Sequence, residues 1–341
     1  MNSAARQSDR VLGNYILERQ LGVGGMGVVF AARHRQLGHR VAIKLMHPEL
    51  VNADLVERFT REGQAAARLR SPHVARVLDV GVDDTGAPYL TMEFLDGKDL
   101  DQVLQQNGAL PLEQAIDYLL QIGEAVAEAH SAGIVHRDLK PGNLFLARDA
   151  YGNECVKVLD FGISKLIDDD RYVDSPKLTA AATVIGTPHY MPPEQMRSAH
   201  EADARSDIWA LGAIFFEMLT AMPAWSGATL SEVCMRVASD PAPQARDRCS
   251  SLPPLVDVVI STCLRKDPAQ RYQSVIDLIA ALAPLAPELV NAALERIARL
   301  IGTVAPLTLA SEIGGPSSTL ASSGIGVSTS KRPVRLIGNQ P

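Results

Sequence analysis

Two clusters of residues in this 341-residue sequence have types and spacing that could do chemistry. The first is Gly22-Val23-Gly24-Gly25-Met26-Gly27-Val28-Val29, followed by Val41-Ala42-Ile43-Lys44. Glycines spaced this way let backbone N–H groups approach phosphate oxygens with no Cβ in the way. Alone, the G-x-G-x-x-G spacing also suits a dinucleotide-binding turn or a plain glycine-rich hairpin. The flanks favour a phosphate-covering hairpin, because a dinucleotide turn opens a helix, whereas β-branched Val28 and Val29 lead into a strand and a second strand brings Lys44. Lys44 is then either a solvated edge residue or an ammonium that grips phosphate and is fixed by a carboxylate from the nearby helix. Glu62 is the best candidate for that carboxylate, with Glu57 one turn earlier as the competing choice. The second and more specific cluster is His136-Arg137-Asp138-Leu139-Lys140-Pro141-Gly142-Asn143, with Asp160-Phe161-Gly162 further along.

These residues need elements to position them. Residues 15–17, 28–30 and 41–43 have β character with short turns between them, which predicts an antiparallel sheet. Over 54–69 the period becomes helical, with Leu55, Phe59, Ala66 and Leu69 on one side, and strand character returns at 74–80 and 89–94. This is a small unit of strands with one helix. Beyond Gly97 the pattern is mainly helical, with segments at 112–132 (stopped by Gly133), 207–219, 255–264 and 272–282. Residues 287–301 form a further amphipathic candidate, with Leu289, Val290, Ala293, Leu294, Ile297, Leu300 and Ile301 at helical spacing, expected to pack on the body.

Composition sets the outer limits. With 33 Lys+Arg against 39 Asp+Glu, a formal charge of −6 and 46% hydrophobic residues, the chain is an ordinary globular one of about two folding units. The acidic balance argues against a broad nucleic-acid or membrane surface while leaving room for a local basic groove. Cys155, Cys234, Cys249 and Cys263 lack C-x-x-C spacing and read as reduced thiols of a cytosolic protein. The polar first ten residues lack a signal-peptide core, and the apolar runs at 209–216 and 275–290 are too short or broken for a membrane span. From Thr303 onward 11 of 39 residues are Ser or Thr, the composition of a disordered tail.

The second cluster resembles the catalytic loop and metal-binding motif of eukaryotic-like (Hanks-type) bacterial serine/threonine protein kinases. The glycine loop, Val41-Ala42-Ile43-Lys44 and Glu62 fall in the order and spacing of that family, as do Gly186-Thr187-Pro188-His189-Tyr190-Met191-Pro192-Pro193-Glu194, Asp207-Ile208-Trp209 and Arg271. The resemblance runs over roughly 15–282 and implies an α+β bilobal fold. It divides the chain into a flexible leader (1–14), a small β-sheet lobe with one helix (15–95), a larger helical lobe (96–283), an additional helix (284–302) and the tail (303–341). The implied reaction is transfer of the γ-phosphoryl of ATP to a protein hydroxyl, with Mg²⁺ as cofactor and Mn²⁺ as its substitute. Asp138 would accept the hydroxyl proton and Lys140 steady the phosphoryl group. Lys44, oriented by Glu62, would contact the α- and β-phosphates beneath Gly22, Val23, Gly24, Gly25 and Gly27, while Asn143 and Asp160 hold the metal. For adenine the resemblance assigns Val29, Ala42 and Phe145 to the ring faces, Met92 to the gatekeeper place, Glu93 and Leu95 to the hinge, and Asp99 to the ribose.

The same resemblance carries specificity and control. Lys140-Pro141-Gly142-Asn143 and Gly186-Thr187 are of the Ser/Thr rather than the tyrosine class, and Gly142 stands where Arg-directed relatives often have Glu. Arg137 before Asp138 implies activation by loop phosphorylation, because a phosphate can neutralise it. Thr179 and Thr183 are the expected autophosphorylation sites, and Thr187 is expected to bond near Asp138 and Lys140. Pro192 replaces the usual Ala or Ser and leaves a Glu194–Arg271 ion pair available. Expected partners are protein substrates, ATP and a second copy paired through the back of the small lobe, with no nucleic acid. Many relatives continue into a membrane span and an extracellular sensor; this sequence shows neither, so sensing is expected to be cytosolic, to come from a partner or to lie outside this sequence, and a cytoplasmic location is expected. The alternative is a pseudokinase or scaffold that binds nucleotide and partners without transfer.

Overall fold

The computed structural model describes residues 10–24, 27–148, 152–161, 188–198 and 201–302, leaving the side chains of Asp54 and Glu62 outside that set. Six strands form the sheet of the small lobe: β1 (Val11–Leu12), β2 (Tyr15–Val23), β3 (Gly27–His34), β4 (Arg40–Met46), β5 (Val77–Val82) and β6 (Pro88–Glu93). Their order is β1-β2-β3-β4-β6-β5, with every neighbouring pair antiparallel. One face buries Leu12, Tyr15, Leu17, Val41, Ile43 and Leu45. The lobe's helix, α1 (Ala53–Ala66), is capped by the Asn52 side chain, which accepts from Leu55 N at 2.9 Å. It buries Leu55 and Phe59 against Met46 and Leu90.

Two expectations need correction. Residues 11 and 12, expected to lie in a flexible leader of residues 1–14, belong to the sheet, because Val11 and Leu12 pair with Ile16 and Tyr15 and Leu12 is only 3% exposed; residues 1–9 lie outside the described residues. Burying an apolar side chain of that size recovers the ordering cost of a short edge strand. The strand expected at 74–80 starts at Val77 instead. Residues 70–75 are claimed by the large lobe: Glu128 accepts from Arg70 N and Ser71 N, Val158 N donates to His73 O, and Ala75 N donates to Val158 O.

The large lobe is helical around a second, three-stranded antiparallel sheet of β7 (Gly97–Asp99), β8 (Leu144–Arg148) and β9 (Glu154–Val158). Its described helices are α2 (Leu100–Asn107), α3 (Leu112–Ser131), α4 (Pro193–Arg197), α5 (Ala204–Thr220), α6 (Leu230–Ser239), α7 (Pro254–Cys263), α8 (Val275–Ala281) and α9 (Pro287–Ile301). Helix α3 stops where expected, with Gly133 at φ +75°. Helix α5 is buried on all sides from Ser206 to Leu219 and is the centre of the lobe. Trp209 on α5 stacks on Trp225 at 5.3 Å and 8° between planes, with Lys266 over both rings and Arg271 over Trp209. Burial pushes the Lys266 ammonium down to about 8, and its Nζ donates to Val237 O. Helix α9 packs on α3 and α8 through Val290, Ala293 and Ile297. Residues 303–341, read from composition as a disordered tail, lie outside the described residues. No described helix is long and apolar enough to cross a membrane.

Candidate active site

The loop between α3 and β8 is held by one buried carboxylate. Asp207, 1% exposed on α5, accepts from His136 N and Arg137 N at 2.8 Å each and from His130 Nε2 at 2.7 Å. Those bonds offset the strain of Arg137, which sits at φ +66° in the left-handed region. Burial alone would raise the Asp207 carboxyl; the His130 hydrogen bond and the loop amides override it and hold the group below the usual carboxylate range. His136 Nε2 donates to Leu159 O at 2.8 Å and its ring meets Phe161 edge-on at 4.9 Å, which ties the loop to the Asp160 segment.

On this platform Asp138, Lys140 and Asn143 converge. Lys140 Nζ donates to both Asp138 oxygens, at 3.0 and 2.8 Å. Asn143 Nδ2 donates to Asp138 Oδ2 at 3.0 Å and to Asp138 O at 2.8 Å. With its amide nitrogen so committed, Asn143 has its side-chain oxygen left to face a cation. Leu159 N donates to Asn143 O at 2.9 Å, which fixes Asn143 beside Asp160.

Lys44, only 9% exposed, pairs with Asp160 Oδ2 at 2.9 Å. Burial works to raise the Asp160 carboxyl, and the Lys44 ammonium outweighs it and holds the group low, so Asp160 is an anionic oxygen donor. Asp160 itself lies at φ +57°. Glu62 is on α1, and its side chain lies outside the described residues. Strand register gathers the remaining small-lobe residues: Val29 opposes Lys44 and Ala42 opposes Met92, so with the period of two all four share one face of the sheet. Phe145 opposes Asp99 in the other sheet. Asp99 caps α2, accepting from Gln102 N at 2.8 Å, so its carboxylate is partly engaged before any ribose is considered.

The hinge is more tightly held than the sequence reveals. Glu93 N donates to Arg76 O, and Glu93 Oε1 accepts from Arg76 N and from Lys157 Nζ at 2.8 Å. The Glu93 N–H is therefore taken, and its role toward a base narrows to the carbonyl. Arg40 lies over the Phe94 ring at 4.7 Å, and Leu95 is half-buried. A long-range contact that the motif does not reveal is His47 Nε2 to Gly24 O at 3.0 Å, which ties the glycine turn to the end of β4.

The glycines of that turn are not equivalent. Gly24 and Gly27 exchange backbone hydrogen bonds of 2.9 and 3.3 Å, and a Cβ on Gly27 would lie 2.1 Å from Leu45 O. A Cβ on Gly22 would meet nothing within 4 Å, and one on Gly24 only Gly27 O at 3.9 Å. Gly27 serves the hairpin, whereas Gly22, Val23 and Gly24 leave open space above the sheet; Gly25 is outside the described residues. Gly27→Ala is accordingly expected to destabilise the fold by about 1–3 kcal/mol and Gly22→Ala by less than about 0.5 kcal/mol, read from thermal unfolding of the two variants. Equal melting shifts would refute the distinction. Thr179, Thr183 and Thr187 also lie outside the described residues.

A glycine turn over a lysine strand, a hinge, and an Asp–Lys–Asn loop facing a second aspartate together define the protein kinase class. Residues 15–280 match the protein kinase domain, and the chain belongs to that family, in its bacterial serine/threonine branch. It is 38% identical over 263 residues to serine/threonine-protein kinase pkn3 of Myxococcus xanthus, covering 76% of this chain and 48% of that protein. It is 37% identical over 267 residues to PknA of Mycobacterium tuberculosis, covering 77% and 59%. PknB of Mycobacterium leprae is 36% identical over 287 residues, covering 83% and 44%. The chain thus spans about half the length of these relatives. Among solved structures, the PknI kinase domain of Mycobacterium tuberculosis aligns with a TM-score of 0.60 at 25% identity, over 85% of this chain and 98% of that one.

Proposed function

We propose that this chain transfers the γ-phosphoryl group of ATP to Ser/Thr hydroxyls of proteins. The observation that carries the reading is the convergence of Lys140 and Asn143 on Asp138 beside the Lys44–Asp160 pair. Asp138 accepts the proton of the incoming hydroxyl as its oxygen bonds phosphorus and the bond to the β-phosphate oxygen breaks, releasing ADP. Lys140 holds Asp138 in place and offers positive charge to the transferring group, and Lys44 binds the α- and β-phosphates.

The donor set also fits a hard divalent cation. Asp160 and Asn143 present one carboxylate and one amide oxygen, the partial set that Mg²⁺ completes with nucleotide phosphates and water. Bound there, Mg²⁺, or Mn²⁺ in its place, would neutralise developing phosphate charge. The Lys44 ammonium lies on one side of Asp160 and leaves the other carboxylate oxygen for that role.

Arg137 supports activation by phosphorylation. Its Nη2 donates to Ala202 O at 3.0 Å while its buried Nε has no hydrogen-bond partner among the described residues, so the guanidinium keeps an unused donor that an anion would satisfy. Phosphothreonine at Thr179 or Thr183 is the proposed anion. A scaffold without transfer has less support, since Lys44, Asp138 and Asp160 are all present and mutually placed. Pairing of two copies through the small lobe and a cytoplasmic location remain part of the proposal.

The test is radiolabel transfer from ATP to the chain itself and to casein. Wild type is expected to label and Lys44→Met to lose at least about 10²-fold in rate, with phosphopeptides mapping to Thr179 or Thr183. An unlabelled wild-type chain with divalent cation present refutes the reading, and label confined to other residues refutes the activation sites.

A further inference from the structure

Glu124 on α3 is fully buried, yet only two cationic or titratable donors among the described residues reach it. Its Oε1 accepts from Arg296 of α9, from Nε at 2.8 Å and from Nη2 at 2.5 Å. Its Oε2 has no hydrogen-bond partner among the described residues and faces His73 Nε2 at 3.8 Å. His73 Nδ1 donates to Val156 O at 3.1 Å, so in the neutral ring Nε2 turns a lone pair toward a carboxylate oxygen. No hydrogen bond can form there until the ring gains a second proton. Burial, helped by the Arg296 and Lys157 cations, keeps His73 below the ordinary imidazole value against the pull of Glu124. At neutral pH Arg296 is therefore the counter-charge.

The location gives this pair its reach. One turn along α3, Glu128 accepts from Arg70 N and Ser71 N at 2.8 and 2.7 Å, and β9 bonds His73 O and Ala75 N. The segment so held leads from α1 to β5, and α1 carries Glu62. Arg296 lies outside residues 15–280 that match the kinase domain.

We propose that Arg296 is a positioning residue for the kinase reaction: by neutralising Glu124 it keeps residues 70–75 seated on α3 and so holds in place α1, whose Gly63 and Ala66 line one cavity with Asp160, with protonated His73 as its substitute. The proposal rests on the kinase reading for its effect on rate, and on contacts alone for its effect on the segment. Removing the half-exposed Arg296 leaves the buried Glu124 charged and desolvated, which the structure relieves by moving or by admitting water. Dependence on Arg296 is then greatest where His73 is neutral and falls as pH drops through the imidazole range. The other groups around the pair are Cys155, whose Sγ lies 3.4 Å from His73 Nδ1, Lys157 bound to Glu93, and Asp117 along α3 near Arg296.

The test takes the full chain as wild type, Arg296→Gln, Arg296→Lys, Glu124→Gln, and Arg296→Gln combined with either Glu124→Gln or His73→Gln. Phosphate transfer to casein is followed from about pH 6 to about pH 8.5, alongside amide hydrogen exchange of residues 68–76 compared with wild type at each pH. Arg296→Gln is expected to lose about tenfold in kcat/KM at the alkaline end and recover most of it at the acid end. Arg296→Lys and the Glu124→Gln double variant should recover at all pH values, and the His73→Gln double variant should not recover in acid. Exchange in 68–76 should follow the same pattern. Wild-type rate and exchange in Arg296→Gln at alkaline pH would overturn the proposal, as would a loss that is the same in acid. A wild-type chain that transfers no phosphate counts against the kinase reading instead, and exchange then decides the positioning role alone.

Discussion

Asp138→Asn is expected to lower kcat on the order of 10²–10⁴-fold while leaving KM for ATP and the unfolding temperature close to wild type. The two side chains have nearly the same shape, so the change isolates loss of the proton acceptor. Geometry adds a second cost. Asp138 Oδ2 accepts from both Lys140 and Asn143, and Oδ1 accepts again from Lys140. An amide can offer one oxygen where the carboxylate offers two, so one of these donors must face an NH₂ group. Lys140 then keeps at most one of its two bonds to this side chain and is held less firmly where it would meet the transferring group. Single-turnover rates with saturating nucleotide give the readout, because they separate the chemical step from product release. A variant with kcat within threefold or so of wild type would remove Asp138 from the reaction, since positioned acid–base groups contribute far more than that.

Arg271→Met is expected to destabilise the fold by about 3–5 kcal/mol, a large share of the stability of an ordinary domain. The Arg271 side chain has no exposed surface, and its two terminal nitrogens meet the two Glu194 oxygens at 2.6 and 2.8 Å. It also donates to Arg265 O, Arg205 O and Lys266 O. Methionine fills part of the volume but leaves a buried carboxylate and three carbonyls without their donor. Ser206 Oγ, 3.0 Å from Glu194, cannot replace a cation. Urea unfolding of the single variant and of Arg271→Met/Glu194→Gln measures this directly. The double variant should recover part of the loss, because it removes the unpaired charge while keeping the cavity. A midpoint for Arg271→Met equal to wild type would mean that the pair holds nothing. The consequence extends to function, since Glu194 lies on α4 directly after the segment that ends at Pro192.

The part of the site that is legible in the sequence is the part whose contacts are local. His136 to Asn143 lie within one loop, and the hydrogen bonds among Asp138, Lys140 and Asn143 span five residues or fewer. Val29, Ala42 and Lys44 meet because strands alternate with a period of two, which can be read from residue types. The anchors of that loop are not legible in the same way. Asp207 reaches His136 and Arg137 across about 70 positions. Neither residue type nor spacing marks a buried aspartate as a backbone acceptor.

The fold divides along the same line. Long periodic segments such as α3 and α9 show in the sequence, whereas α2, with only Leu100 and Leu104 buried, has too short a stripe to stand out. The start of β5 cannot be read from residue types, because Val74 is as β-branched as Val77, yet residues 74–76 bond to β9 and the hinge. Glu124 and Arg296, 172 positions apart, have no sequence signature at all.

The stacked indoles of the large lobe have a practical consequence. Trp209 and Trp225 are the chain's two tryptophans, both buried, both under the Lys266 cation, and Trp209 also under Arg271. Their parallel rings lie 5.3 Å apart, so the tryptophan part of the near-ultraviolet dichroism and the emission excited at the red edge of the indole band come from a single chromophore pair set among α5, Trp225 and the Lys266–Arg271 turn. The chain therefore carries a native optical probe that watches the anchor of its helical half and is blind to the nucleotide cleft.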